Sequence, residues 1–254
     1  MVNEALAQEI TALLCRSVAD HNEQGFYREP LVGFSAADDP LYRDIKTLIG
    51  PWHSYPWELL PEVKTVISFF IPFTRQVVEA NRKAWPEPAR EWVLSYHDCN
   101  RLIDDTGDSL VQYLREQGFA ALNTSSTDNY DPERLIAGWS HRSAALVAGL
   151  GSLGLNRMLI TAKGCAGRLG SVLTSAALPP GARAEREYCP YFVDGSCGFC
   201  VKNCPQQALS FEDKQDLQRR SCLEQCEKPT PHRSEPGGAQ CCGKCVMGPC
   251  AYYE

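Results

Sequence analysis

Apolar positions recur at helical spacing from the start of the chain. Leu6, Ile10, Leu13, Leu14 and Val18 share one face of a stretch that Asn3 can cap and Gly25 can stop, which predicts a first helix. Val63 to Ile71 has a different pattern, a nearly unbroken run of branched and aromatic residues ending at Pro72, and this predicts a buried strand. From about Pro88 to Gly118 the helical period returns, with Trp92, Tyr96, Leu102, Ile103, Leu110 and Leu114 as core candidates and Gly107 as a point of interruption. Asp131-Pro132-Glu133 has the form of a helix start, a capping carboxylate before a proline at the first helical position, and predicts a helix that runs to Leu150. Met158 to Thr161 and Gly170 to Leu178 are further predicted strands.

This order of elements predicts an α+β or mixed α/β fold without internal repeats. A change of character near Pro179-Pro180-Gly181 and the charged connector Arg183 to Glu187 divides the chain into residues 1–182 and 183–254. Hydrophobic residues make up 44% of the 254 and charged residues 22%, a composition that excludes a disordered chain. No run approaches the roughly 18 apolar residues of a membrane span. The formal net charge of −6 argues against a general phosphate-binding surface. The opening residues lack a basic, then apolar, secretory leader, so a cytoplasmic location is expected.

That compartment decides how the cysteines are read. Of 13, ten fall from Cys189 onward, and in a reducing compartment such crowding points to metal ligation before disulfides. Cys197-Gly-Phe-Cys200-Val-Lys-Asn-Cys204-Pro205 is most of a bacterial ferredoxin run, C-x2-C-x3-C-P. Asp194 stands where that run would begin, and Cys189 is the expected substitute. Cys222 and Cys242-Gly-Lys-Cys245, with Cys250, supply a further ligand group. Two 4Fe-4S clusters with crossed ligation are therefore expected: Cys189, Cys197, Cys200 and Cys250 on one, and Cys204, Cys222, Cys242 and Cys245 on the other. Structural zinc on paired C-x2-C knuckles is the rival reading. Cys226 and Cys241 are left over, each able to replace a neighbour or to remain free, while Cys15, Cys99 and Cys165 read as core thiols.

His141-Arg-Ser-Ala-Ala-Leu-Val-Ala-Gly-Leu-Gly-Ser-Leu-Gly-Leu-Asn156 and Gly167-Arg-Leu-Gly-Ser-Val-Leu-Thr174 resemble the central segment of the epoxyqueuosine reductase family. Leu60 to Pro72 is similar to that family's early strand, and the tail agrees in ligand order. More remotely, the plan is similar to reductive dehalogenases. The resemblance implies a nitroreductase-like cobalamin-binding module followed by a ferredoxin-like dicluster domain. It further implies electrons passing through both clusters to a base-off cobalamin that reduces a bound substrate. An external donor such as a ferredoxin or flavodoxin goes with that scheme. Two departures stand out. Ser152-Leu-Gly-Leu-Asn156 lacks the aromatic residue and the lysine usual in the family, and the chain stops soon after its last cluster cysteine. A small-molecule or protein substrate is therefore expected ahead of tRNA. The alternative is a corrinoid-free redox protein of the same architecture.

The candidate residues of the first region follow from that resemblance and from local chemistry. Asp128 is the proton-donor candidate, in competition with Asp131, which a helix cap explains equally well. His141 is a second catalytic candidate, against the reading of a satisfied, partly buried histidine. Arg142, Gly149, Gly151, Gly154, Asn156, Gly167 and Arg168 are expected to face the cofactor, the glycines because they leave room for a broad planar ligand. Tyr96 and His97 form another possible donor pair.

Overall fold

A computed structural model describes residues 2–125, 130–183, 185–211 and 217–254. Helix α1 (Glu4–His21) starts where predicted, with the Asn3 side chain accepting from Leu6 N at 3.0 Å and Leu6, Ile10, Leu14 and Val18 buried. It ends before Gly25, because Asn22 takes the cap and its side chain brackets Tyr27 through both the backbone N–H and the carbonyl. Strand β1 (Leu31–Ala36), α2 (Leu41–Ile49) and the short α3 (Pro56–Leu59) follow, none of them evident in the periodicity. Strand β2 (Thr65–Pro72) is the predicted one, and all of its residues are buried.

Helix α4 (Arg75–Lys83) leads into α5 (Arg90–Glu116), which runs unbroken through Gly107. A Cβ on Gly107 would meet the Asn123 side chain at 2.3 Å, so this glycine makes room for a neighbour and does not interrupt the helix. After β3 (Ala121–Asn123), the helix expected from Asp131 to Leu150 forms only in its second half. Asp131 Oδ1 accepts from the N–H groups of Glu133 and Arg134 at 2.9 and 2.8 Å, but the chain then turns back as a hairpin of β4 (Tyr130–Asp131) and β5 (Ile136–Ala137). An aspartate that bonds the backbone two residues on can close a turn as readily as cap a helix. Helix α6 (His141–Val147) instead starts at Ser140, whose hydroxyl accepts from Ser143 N. Strands β6 (Gly151–Leu153) and β7 (Leu159–Thr161) pair with each other, and β8 (Gly167–Thr174) begins earlier and ends sooner than its predicted range.

Among the described residues the main sheet has the order β1-β2-β8-β3, antiparallel throughout. Side chains alternate across β2, so Ile67, Phe69 and Ile71 meet the α1 and α5 side while Val66 joins Tyr42, Trp139, Ala144 and Val147 on the other. A strand covered on both faces reads as a continuous apolar run, which is why β2 is legible without alternation.

The tail carries only short helices, α7 (Pro190–Asp194), α8 (Phe199–Lys202) and α9 (Arg219–Glu227), and 3-10 turns at Pro231–Ser234, Lys244–Val246 and Pro249–Ala251. The core is continuous across residue 182: Cys189, Cys200, Leu209, Val246 and Met247 belong to the same buried cluster as Leu14 and Leu110. Among the described residues no helix is long and apolar enough to cross a membrane.

Candidate metal centre

Cys189 lies at the N-terminal cap of α7, Cys197 and Cys200 flank the start of α8, and Cys250 sits in the last 3-10 turn. These elements meet around one cavity lined by all four sulfur-bearing residues, by Cys245, and by the apolar walls Leu155, Ile160 and Phe199. Gly198 and Gly248 complete the lining. Asp194, at the missing first ligand position, bonds Ser196 N at 2.8 Å and does not line the cavity. Thiolates on one zinc stand roughly 3.8 Å apart, given Zn–S bonds of about 2.3 Å at tetrahedral angles. Among the described residues no three His, Cys, Asp or Glu side chains converge in that way.

Backbone donors already address the sulfurs. Ala208 N donates to Cys204 Sγ at 3.2 Å, and the amides of Val201 and Lys244 bond the sulfurs of Cys200 and Cys242. Such N–H groups stabilise ligated thiolates and tune their potential. Without a metal, burial pushes the Cys200 thiol up to about 12, with Cys250 adding to the rise, and burial likewise raises Cys242 and Cys245. Metal coordination is what makes thiolates stable in such surroundings.

Burial raises the Cys245 thiol, and Cys222, Cys242, Cys200 and Cys204 add to the rise, so members of both sets lie within electrostatic reach of it. Cys245 therefore stands between the two groups. Cys226 lies one turn along α9 from Cys222 and hydrogen-bonds it, which holds Cys222 down at about 7 and raises Cys226. Cys165, expected as an incidental core thiol, lies 3.8 Å from Cys250 Sγ and donates to it. Asn156 is drawn in as well, its Nδ2 donating to Cys245 O at 3.1 Å.

Lys244 was not singled out by the sequence, although its place between Cys242 and Cys245 is a signal. Its ammonium group is buried and donates to Asn81 O, Asn81 Oδ1 and Ala84 O at 2.7, 2.9 and 2.5 Å. Asn81 Nδ2 returns a bond to Cys242 O at 3.2 Å. The end of α4 thus fixes the loop that carries two expected ligands.

The expected cofactor-facing residues of the first region are engaged within the protein. A Cβ on Gly149 would lie 2.1 Å from Ala182 O, one on Gly151 2.0 Å from Ile160 O, and one on Gly167 2.3 Å from Ile71 O. The space over Gly154 is filled by the Ile160 side chain at 2.6 Å. Close backbone and side-chain packing accounts for the lack of a side chain at each of these four positions. Arg142 is held by the Arg157 carbonyl, and Arg168 donates to Asn100 Oδ1 and to Tyr96 OH at 2.9 and 2.8 Å while stacking on the Tyr96 ring.

His141 has both ring nitrogens committed. Nε2 donates to the Ser125 carbonyl at 2.9 Å, and Nδ1 lies 2.8 Å from Ser171 Oγ, which also accepts from Trp139 Nε1 at 2.9 Å. Burial, with Arg168 adding to it, holds the imidazole below its usual range, so the neutral Nε2–H form follows and Ser171 donates to Nδ1. Asp128 lies outside the described residues. His97 is not joined to Tyr96, whose hydroxyl is taken by Arg168.

No known family signature matches the chain, and no curated protein matches it in sequence. Solved structures do match. A selenomethionine-labelled epoxyqueuosine reductase superposes with TM-score 0.59 at 21% identity, covering 96% of this chain and 68% of that one. An epoxyqueuosine reductase with an epoxyqueuosine-modified tRNA-Tyr stem loop gives 0.58, 21%, 96% and 68%. A reductive dehalogenase described in terms of B12-dependent dehalogenation gives 0.61, 16%, 97% and 32%. The chain has the fold shared by epoxyqueuosine reductases and reductive dehalogenases. It spans about two thirds of the former, 65% for the Bacillus subtilis protein, and about a third of the latter.

Proposed function

We propose that this chain is an iron-sulfur oxidoreductase that carries two 4Fe-4S clusters and passes single electrons through them to a bound acceptor. One cluster rests on Cys189, Cys197, Cys200 and Cys250, the other on Cys204, Cys222, Cys242 and Cys245. The observation that carries this reading is the cavity walled by the first four thiols with Cys245 of the second set on its edge, which leaves the two clusters adjacent. In this scheme the chain's own groups exclude water through Leu155, Ile160 and Phe199, and they donate backbone N–H groups to the sulfurs. The clusters supply one-electron chemistry when bound. The likeness in fold to redox enzymes supports the reading, with a ferredoxin-like tail on a nitroreductase-like α+β module as its finer form. A ferredoxin- or flavodoxin-type donor and a small-molecule or protein substrate in the cytoplasm complete it, with tRNA disfavoured by the acidic charge.

Anaerobic purification tests it: iron and acid-labile sulfide each near about eight per chain are expected. Zinc without sulfide would replace the proposal with a zinc-stabilised binding module. A second reading, cobalamin as the terminal group, is favoured by the B12-dependent neighbour and opposed by the filled space over the glycines. Titration with cobalamin separates the two, since only a bound corrinoid shifts its visible spectrum to the base-off form.

A further inference from the structure

One thiol that neither ligand set uses stands against one that a set does. Cys165 Sγ lies 3.8 Å from Cys250 Sγ and hydrogen-bonds it, although 85 residues separate the two along the chain. The backbone holds them there: Cys165 N donates to Cys250 O at 2.9 Å and Ala166 N to Ala251 O at 3.0 Å. Standard bond lengths and the first of these hydrogen bonds keep the two Cα atoms within about 6.8 Å, inside the range that a disulfide spans. Closing that bond brings the sulfurs to about 2.05 Å, a smaller shift than one change of cysteine rotamer produces. The turn before Cys165 is braced as well, since Thr161 Oγ1 donates to Gly164 O at 2.7 Å and a Cβ on Gly164 would lie 2.4 Å from Ala251 O. The pair is unequal. Cys250 lines the cavity of the first ligand set, whereas Cys165 is 2% exposed and is not part of that lining.

We infer that Cys165 is a resolving thiol for Cys250: when the chain is free of metal and meets a peroxide, the two close a reversible disulfide that spares Cys250 from irreversible oxidation. The pairing needs no iron, and only the role of Cys250 as a cluster ligand rests on the reading above. In the first step the Cys250 thiolate, reached through the cavity, attacks one oxygen of hydrogen peroxide. The O–O bond breaks, Cys250 becomes a sulfenic acid and hydroxide leaves. The Cys165 sulfur then displaces the hydroxyl group from Cys250; the S–S bond forms, and the oxygen departs as water with the Cys165 proton. Two electrons pass from the sulfurs to the peroxide, and the proton lost by Cys250 turns the hydroxide into the second water. A dithiol reopens the bond by thiol–disulfide exchange. Without a resolving thiol, further peroxide carries a sulfenic acid to sulfinic and sulfonic acids, which thiols do not reverse.

The test strips the full chain of metal by anaerobic chelation, treats it with hydrogen peroxide, alkylates the remaining thiols and maps the peptides by mass spectrometry. A Cys165–Cys250 cross-link is expected as the main product at Cys250, and dithiothreitol should return both residues to alkylatable thiols. The yield should fall several-fold in guanidinium chloride, where the folded contact is lost. In Cys165→Ser and Cys165→Ala, Cys250 is expected as a sulfinic or sulfonic acid that dithiothreitol does not recover. Cys250 joined chiefly to another cysteine, Cys250 over-oxidised in the unaltered chain, or full recovery of Cys250 in either variant would overturn the inference. The unaltered chain decides the matter by itself if a variant folds poorly. Failure of the cluster reading is seen separately, in the iron and sulfide of the protein before chelation, and leaves the cross-link result unchanged.

Discussion

Replacing Gly149 with alanine tests whether the glycines after α6 serve packing or a ligand. Gly149 has φ +77°, where an L side chain costs roughly 1–2 kcal/mol. An added Cβ would also lie 2.1 Å from Ala182 O and 3.2 Å from Arg183 Cα. Both atoms belong to backbone and cannot swing aside as a side-chain tip would, so relief requires that segment to shift, at about 1–3 kcal/mol. The sum is about 2–5 kcal/mol, a large part of the stability of an ordinary domain. Gly118→Ala is the internal reference, because Gly118 has φ +83° with nothing within 4 Å of its Cβ and reports the backbone conformation alone. Urea unfolding of both variants, at equal metal content, gives the difference from the midpoints at unchanged slope. Gly149→Ala is expected to cost about 1–3 kcal/mol more than Gly118→Ala. Equal costs would refute the close approach of residue 182 and reopen this turn as a ligand wall.

Cys204→Ala should lose the cluster that also uses Cys222 and spare the one on Cys197 and Cys200; electron paramagnetic resonance of the reduced protein distinguishes the two, and loss of only the latter would refute the crossed ligation. Lys244→Met leaves Asn81 O and Ala84 O without their buried donor and is expected to cost about 2–5 kcal/mol in thermal or urea unfolding, so an unchanged midpoint would show that this clamp contributes nothing. Acid should destabilise the fold through the buried His53 and the half-buried His141. Burial lowers both His53 and His141, so their contribution is complete above the unfolded value of about 6.5 and is lost as pH falls from there through the lowered folded values. Melting temperatures at pH 7.5 and 5.5 check the sign, and a slope unaltered by His141→Gln would remove that residue from the effect.

Elements whose burial is complete or one-sided were legible. The α1 stripe, the unbroken run of β2 and the long period of α5 each carry their environment in their composition. β1 was missed because Leu31–Ala36 is only partly buried, with Gly33 at its centre pressed against Ala148 O. The false helix start at Asp131 shows the same limit: one side chain bonds the same backbone groups in a cap and in a turn, and only the following hairpin decides. At the site, fixed cysteine spacing made the thiol positions readable before their geometry. The role of the glycines was not readable, since a position that must lack a side chain gives no sign of what fills the space. The contacts of Lys244 and Cys165 were not readable for another reason, because their partners Asn81 and Cys250 lie far away in sequence.

The tail faces a physical problem that the sheet does not, since short helices and 3-10 turns leave many carbonyl groups without ladder partners. Cationic side chains that reach across to the backbone answer it. Arg28 donates to Lys163 O and Tyr253 O, Arg82 to Met247 O and Gly248 O, and Arg233 to Gln225 O and Cys241 O, while Lys244 reaches in the opposite direction to Asn81 O and Ala84 O. Two further backbone bonds, Cys165 N to Cys250 O and Ala166 N to Ala251 O, tie the segment before β8 to the last turn of the tail. Apart from the bond of Arg28 to Lys163 O, each of these contacts lies within a few residues of a cysteine of the tail. The cysteine loops therefore have their course fixed by contacts with the α+β body, and a cluster held on the proposed ligands would close a frame whose sides the protein already sets. It follows that loosening a cation clamp should act on metal retention before it acts on the sheet, because β2 and β8 are covered on both faces and the tail supplies only part of one of the two clusters that cover them.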